Sequence, residues 1–167
     1  MWMGSACAMQ PHASGWFQGC GTHGAVMEGH IFIHEAPEEL DVNMLRTHLE
    51  TDGCGAIVSF LGITRGVDGG EEVLRLEFDA WQSKLSETLH DLAEQAIAKF
   101  GLKSIAMAHR TGSVGPGENI VAIHVASPHR KEAFKGCSWL IDELKRQAPL
   151  WKKEVKPSGA TWKAGLG

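Results

Sequence analysis

Ser127-Pro128-His129-Arg130 stands where an alternating apolar run gives way to a helical pattern. A helix beginning there offers unpaired backbone N–H groups and a partial positive charge, and both attract anions. Arg130 adds a forked donor suited to phosphate or carboxylate, with His129 beside it. The ordinary alternative is a capped helix with two exposed polar residues. Sixteen residues beyond His129 lies Lys145, and seven further on Lys152, across an Ala148-Pro149 break. A lysine in the last turn of a helix is ordinarily a partner of the helix dipole. Here Pro149, Leu150 and Trp151 adjoin the lysines, and apolar neighbours desolvate an amine and lower its pKa, as proton transfer requires. Arg65 follows an apolar run and opens a Gly-rich loop, a place from which a strand can aim a binding residue. His109-Arg110 ends another apolar run in the same way, which makes Arg110 a further candidate anion contact; a surface arginine is the commoner outcome.

Other chemistries find little support. Cys7, Cys20, Cys54 and Cys137 form no CxxC pair, and Cys54 and Cys137 sit in apolar runs as small hydrophobes. A reducing cytoplasm suits them. His30 and His34 are four apart in a strand-like segment, too few ligands for a metal site. The nucleophile elbow and the Walker loop are absent from the sequence, and no GxGxxG pattern opens a helix. No metal and no cofactor is expected.

The elements that must position these residues follow from periodicity. His30–His34 reads as a strand. Asp41 can cap a helix to about Glu50, with Val42, Leu45 and Leu49 on one face. Cys54–Ile63 is apolar enough for a buried central strand. Thr64–Gly70 reads as a loop, and Val73–Asp79 alternates as a half-buried strand. In Ser83–Phe100, Leu85, Leu89, Leu92, Ala96, Ile97 and Phe100 recur at helical spacing, and Gly101 ends the helix. Ser104–Arg110 and Asn119–Ala126 are strands separated by a Gly/Pro loop. The next helix is expected to start with Ser127 as cap and Pro128 in its first turn. Its buried stripe is Ala133, Cys137, Leu140, Ile141 and Leu144, and Trp151–Val155 forms a last strand. The order β-α-β-β-α-β-β-α-β indicates an α+β domain with helices packed on a mixed sheet.

With 167 residues, 43% hydrophobic and 22% charged, the chain has the composition of one globular domain. The formal net charge of -4 argues against a generic nucleic-acid binder. Yet residues 126–167 carry nine of the sixteen Lys+Arg and only four of the twenty Asp+Glu. A local basic field of this kind can draw an anionic ligand to an acidic protein; a solvated lysine-rich face is the plain alternative. Residues 1–26 hold no charged side chain and lack the marks of a secretory signal. They read as a disordered extension, with residues 27–167 as the single domain.

Several motifs in fixed order carry a resemblance. Gly55–Arg65 (GAIVSFLGITR), Ala108-His109-Arg110-Thr111-Gly112, Ser127–Arg130 with Ala133-Phe134, Ile141–Lys145 and Ala148–Glu154 (APLWKKE) resemble the large, catalytic subunit of molybdopterin synthase. The likeness runs from about Met27 to Trp162, with the same intervals between His129, Lys145 and Lys152. It implies a largely antiparallel, hammerhead-like α/β arrangement. It implies a sulfurtransferase that converts cyclic pyranopterin monophosphate to molybdopterin by installing two dithiolene sulfurs. The sulfur would come from the C-terminal glycine thiocarboxylate of a small ubiquitin-like partner subunit. The resemblance further implies a cytoplasmic homodimer within a heterotetramer. It assigns Arg65, His129 and Arg130 to an anion pocket with Ile63 and Thr64 beside it, and makes Lys145 and Lys152 catalytic, with Lys153 and Glu154 alongside. A thiocarboxylate is already a nucleophile, so no catalytic cysteine is required. What remains is proton transfer and oxyanion stabilisation, with Lys145 the first choice for that role. A non-catalytic module that docks a ubiquitin-like tail is the competing class. Such a module needs the groove but neither the lysine pair nor the phosphate ligands.

Overall fold

The computed structural model describes residues 29–163, so the expectation for residues 1–26 lies outside it. Four strands form the first sheet: β1 (His30–Ala36), β2 (Ala56–Ile63), β6 (Ser104–Arg110) and β8 (Asn119–Ser127), in the order β1-β6-β8-β2. The β1/β6 pair is parallel and the other two pairs are antiparallel. Every residue of β6 is buried. Its alternate side chains therefore meet two different layers. Ile105 and Met107 face α2 (Gln82–Phe100) and α3 (Arg130–Gln147), whereas Ala106 and Ala108 face the short α1 (Val42–Thr47).

The larger core joins Leu85, Leu89 and Leu92 of α2 to Cys137, Leu140 and Leu144 of α3 over the strand residues Ile123 and Val125. Each such aliphatic side chain stabilises the fold by about 1.5–3 kcal/mol. Gly101 closes α2 in the left-handed region at φ 65°, its N–H donating to the Ile97 carbonyl at 2.9 Å. Asp41 caps α1 by accepting from the N–H groups of Asn43 and Met44, both at 2.9 Å.

A second, antiparallel sheet has the order β10-β9-β5-β7, built from β5 (Arg75–Ala80), β7 (Gly112–Val114), β9 (Leu150–Lys156) and β10 (Gly159–Lys163). Val73, Leu76, Phe78 and Val114 pack there against Ile120 at the start of β8. The sheets therefore meet where β2 ends and β8 begins. The hairpin of β3 (Val67–Asp68) and β4 (Glu71–Glu72) closes the same corner. The arrangement is α+β, with three helices on mixed, largely antiparallel sheets, as expected. None of the described helices is long and apolar enough to cross a membrane.

Several boundaries depart from expectation. The first helix stops at Thr47 rather than Glu50. Ser127 is not a helix cap: it is the last residue of β8, paired with Ala56. The cap position falls to His129, which makes no side-chain capping bond, and α3 starts at Arg130 rather than Pro128. The Thr64–Gly70 loop contains half of a hairpin, the Gly/Pro loop contains β7, and β10 was not expected.

Candidate functional site

The corner between the sheets encloses a cleft of about 320 Å³. Its floor is apolar, with Phe60 of β2, Leu76 and Phe78 of β5 and Ile120 and Val121 of β8. Its polar groups come from three directions. Ile63, Thr64 and Arg65 arrive at the end of β2, Lys145 in the last turn of α3 beside Ile141, and Lys152 and Glu154 on β9. Strand alternation sends Lys152 and Glu154 to one face of β9 and Lys153 to the other. The structure therefore does not bring Lys153 to the cleft. Its Nζ donates to Glu77 at 3.0 Å and lies 5.8 Å from the centre of the Trp162 ring, on the outer face of the sheet.

Lys152 is half-buried, and burial lowers its pKa from the ordinary lysine value. The neighbouring cations Arg65, Lys163 and Lys145 push the same way, against the opposing charge of Glu154. Glu154 is itself buried, and its carboxylate pairs with Lys163 at 3.2 Å and Lys156 at 3.4 Å. Arg65 is 80% exposed and pairs with Asp68 at 3.3 Å, which leaves most of its donors turned to solvent. Thr64 is fixed by its backbone: its N–H donates to the Glu118 carbonyl at 3.0 Å, and its carbonyl accepts from Gly117 at 2.9 Å. Its buried Oγ1 has no hydrogen-bond partner among the described residues. A hydroxyl in that condition at a cleft wall is a ready donor to a bound oxyanion.

His129 and Arg130 lie elsewhere. They line a separate depression with Gly55 and Pro128, at the N-terminal end of α3. Lys145 sits near the opposite end of that 18-residue helix, and about 1.5 Å of rise per residue puts the two ends more than ~20 Å apart. One small molecule cannot touch both sets within a single chain. Arg110 also departs from its expected part as an anion contact. It is 4% exposed, and its guanidinium donates to the Ser113 carbonyl at 2.7 Å and pairs with Glu118 at 3.6 Å. It braces the loop that fixes Thr64. Next to it, burial drives the His109 pKa down to about 4, and its Nδ1 donates to the Arg110 carbonyl at 2.7 Å.

Sequence reasoning missed Asp68, Lys156 and Lys163, the charges that frame Arg65 and Glu154. The two lysines belong to the basic C-terminal quarter, which was the only signal for them. Burial raises the thiol pKa of Cys54, and raises that of Cys137 to about 11. Neither is a thiolate nucleophile at neutral pH.

Comparison with known proteins gives a consistent result. The model of the MoaE protein family matches residues 35–147. The molybdopterin synthase catalytic subunit of Caulobacter vibrioides is 39% identical over 108 residues, which span 65% of this chain and 71% of that protein. The crystal structure of molybdopterin synthase from Staphylococcus aureus superposes with a TM-score of 0.74 at 27% identity, covering 78% of this chain and 95% of that one. A complex of subunits 1 and 2 of the molybdopterin-converting factor from Helicobacter pylori shares the fold, with a TM-score of 0.65 at 24% identity over 78% of this chain and 88% of that one.

Proposed function

This chain belongs to the MoaE protein family, and on that premise we propose that it is a sulfurtransferase, the catalytic subunit of a molybdopterin synthase. It acts in molybdenum cofactor biosynthesis. Its substrate is cyclic pyranopterin monophosphate, and its product carries two dithiolene sulfurs. The observation that carries this reading is the convergence of Arg65, Lys145 and Lys152 on one apolar-floored cleft.

The residues divide the work by their chemistry. Arg65, with donors free toward solvent, and the Thr64 hydroxyl suit the substrate's phosphate. Ile63 and Ile141 flank the flat pterin. The sulfur arrives as the thiocarboxylate of a small ubiquitin-like subunit, whose anionic tail is drawn into the same cationic cleft. Its sulfur bonds to a pterin side-chain carbon as the carbon–oxygen bond there breaks and a lysine protonates the departing oxygen, giving an acyl-sulfur intermediate. Water then adds to the acyl carbon, the carrier leaves as a carboxylate, and the sulfur stays on the pterin. A second carrier repeats the cycle. Both stages move protons and place negative charge on oxygen. Lys145 and Lys152 supply those functions. The lowered pKa of Lys152 favours it as a group that both gives and accepts a proton. Glu154 holds the surrounding cations in place. Sulfur enters already activated, so the reaction requires no resident cofactor.

His129 and Arg130 fit this site if a second copy supplies them. β2 is an edge strand that presents Leu61 and Ile63, 41% and 54% exposed. An unpaired apolar edge invites another strand. Antiparallel pairing of β2 with its two-fold mate would set the Gly55 end of one copy beside the Ile63 end of the other. Gly55 adjoins His129 and Arg130, and Ile63 adjoins Arg65. We therefore assign His129 and Arg130 to the cleft of the opposite copy, in a homodimer with one carrier subunit per cleft, acting in the cytoplasm.

The test is reconstitution of the purified chain with thiocarboxylated carrier and cyclic pyranopterin monophosphate, read by mass spectrometry. A product that has gained two sulfurs, with the carrier returned as carboxylate, is expected. Carrier binding without sulfur transfer would mark the chain as a docking module and overturn the reading.

A further inference from the structure

Lys156 lies one turn of strand alternation beyond Glu154 on the cleft side of β9, yet it does not line the cleft. Its side chain is only 16% exposed, and its Nζ has three partners. It donates to the Asp68 carbonyl at 2.8 Å and approaches the Asp68 carboxylate at 3.4 Å. It also pairs with Glu154 at 3.4 Å. Asp68 in turn pairs with Arg65. A continuous chain of charges, Arg65–Asp68–Lys156–Glu154–Lys163, thus runs along the wall of the cleft. It links the loop that carries Arg65 to the strand that carries Lys152.

We propose that Lys156 is a positioning residue of this site: it anchors the Arg65 loop through Asp68 and engages the Glu154 carboxylate so that this carboxylate does not neutralise Lys152. Glu154 forms ion pairs with Lys156 and Lys163 and none with Lys152 among the described residues. Both occupied contacts fall on the same oxygen, Oε2. Removing the Lys156 cation frees part of that charge, which favours the protonated form of Lys152. The charged groups around Lys152 are Glu154 on its own strand, Lys163 on β10, Lys145 on α3, and Arg65 and Asp68 on the loop after β2. Of these only Glu154 and Asp68 are negative, and Lys156 contacts both. A lysine that merely stabilised the hairpin would leave the titration of Lys152 where it is.

The consequence for turnover rests on the proposed function, but the test does not. The full chain, its Lys156→Met variant and its Lys156→Arg variant are labelled with an amine-reactive reagent from pH 6 to pH 11. Lys152 modification is followed by peptide mass spectrometry, and circular dichroism reports the fold. In Lys156→Met the labelling curve of Lys152 is expected to move to higher pH, so that labelling at pH 8 slows by about threefold. Lys156→Arg keeps the cation and is expected to follow the unmodified chain. If Lys156→Met does not fold, Lys156→Gln replaces it. A curve unmoved by loss of the cation, or moved as far by arginine, overturns the proposal. Reconstituted turnover is measured on the same samples. An inactive unmodified chain would count against the proposed function while leaving the labelling result to stand alone.

Discussion

Lys145 and Lys152 face one cleft from two elements, and each amine can both hold charge and pass a proton. Lys145→Ala should lower single-turnover dithiolene formation by ~10²–10⁴-fold, the usual contribution of an acid–base group. The fold should lose only about 0.3–1 kcal/mol, the value of a cation at a helix C-terminus. Arginine at either position should fail to restore the rate, because guanidinium stays protonated. Near-normal turnover in Lys145→Arg would reduce that residue to a charge. A second prediction concerns His109. Its ordinary pKa of 6.5 falls to about 4 through burial. Below pH 6.5 the unfolded chain therefore takes up a proton that the native chain refuses. The associated stability is complete above pH 6.5 and is lost as pH falls toward 4, by about 3 kcal/mol in all. Thermal melts from pH 7 to pH 4.5 should show this loss, and His109→Asn should flatten it. The residue types at Arg65, Lys145 and Lys152 were legible in the sequence because their chemistry is local. Only the resemblance puts Lys153 beside the catalytic lysines, whereas strand alternation alone sets it opposite Lys152. The burial of Arg110 is not legible, because a one-dimensional pattern does not reveal it.

The two long helices, α2 and α3, are legible because their apolar stripes repeat over four or five turns; the expected start of α2 at Ser83 falls one residue after its observed start at Gln82. β7 and β10 are not legible, since three to five largely exposed residues carry no apolar alternation. Their existence depends on pairing with β5 and β9. The start of α3 was misjudged for a similar reason. Ser127 and Pro128 look like a cap and first turn, but β8 continues through Ser127 to pair with β2, and tertiary pairing prevails over local propensity. That junction is tight. A Cβ on Gly55 would lie 2.6 Å from the Pro128 carbonyl oxygen, which is backbone and cannot swing away. Gly55→Ala should cost about 1–3 kcal/mol through overpacking, measured by urea unfolding, and should disturb the loop that presents His129 and Arg130. The edge of β2 provides a separate test. Leu61 is exposed, so Leu61→Lys should change the stability of the isolated fold by less than about 0.5 kcal/mol. It should nevertheless shift the sedimenting species from dimer to monomer in reductant.

At the scale of the molecule, the two sheets form one corner, and that corner gathers Arg65, Lys145 and Lys152 of a mildly acidic chain. The charge asymmetry of the last quarter is compatible with a cationic site and equally with a solvated lysine-rich face. The separation of His129 and Arg130 from Lys145 is implicit in their sixteen-residue helical interval, since about 1.5 Å of rise per residue sets the two ends more than ~20 Å apart. Two copies of the chain complete the proposed site. Mixing two impaired chains tests that claim directly. Lys145→Ala and Arg130→Ala chains are each assayed for dithiolene formation at subsaturating substrate, then unfolded together, refolded and assayed again. If each cleft takes Lys145 from one copy and Arg130 from the other, half the refolded dimers are hybrids, and each hybrid holds one intact cleft. About a quarter of the unmodified activity should then return. A mixture no more active than the average of its two components would contradict the shared site.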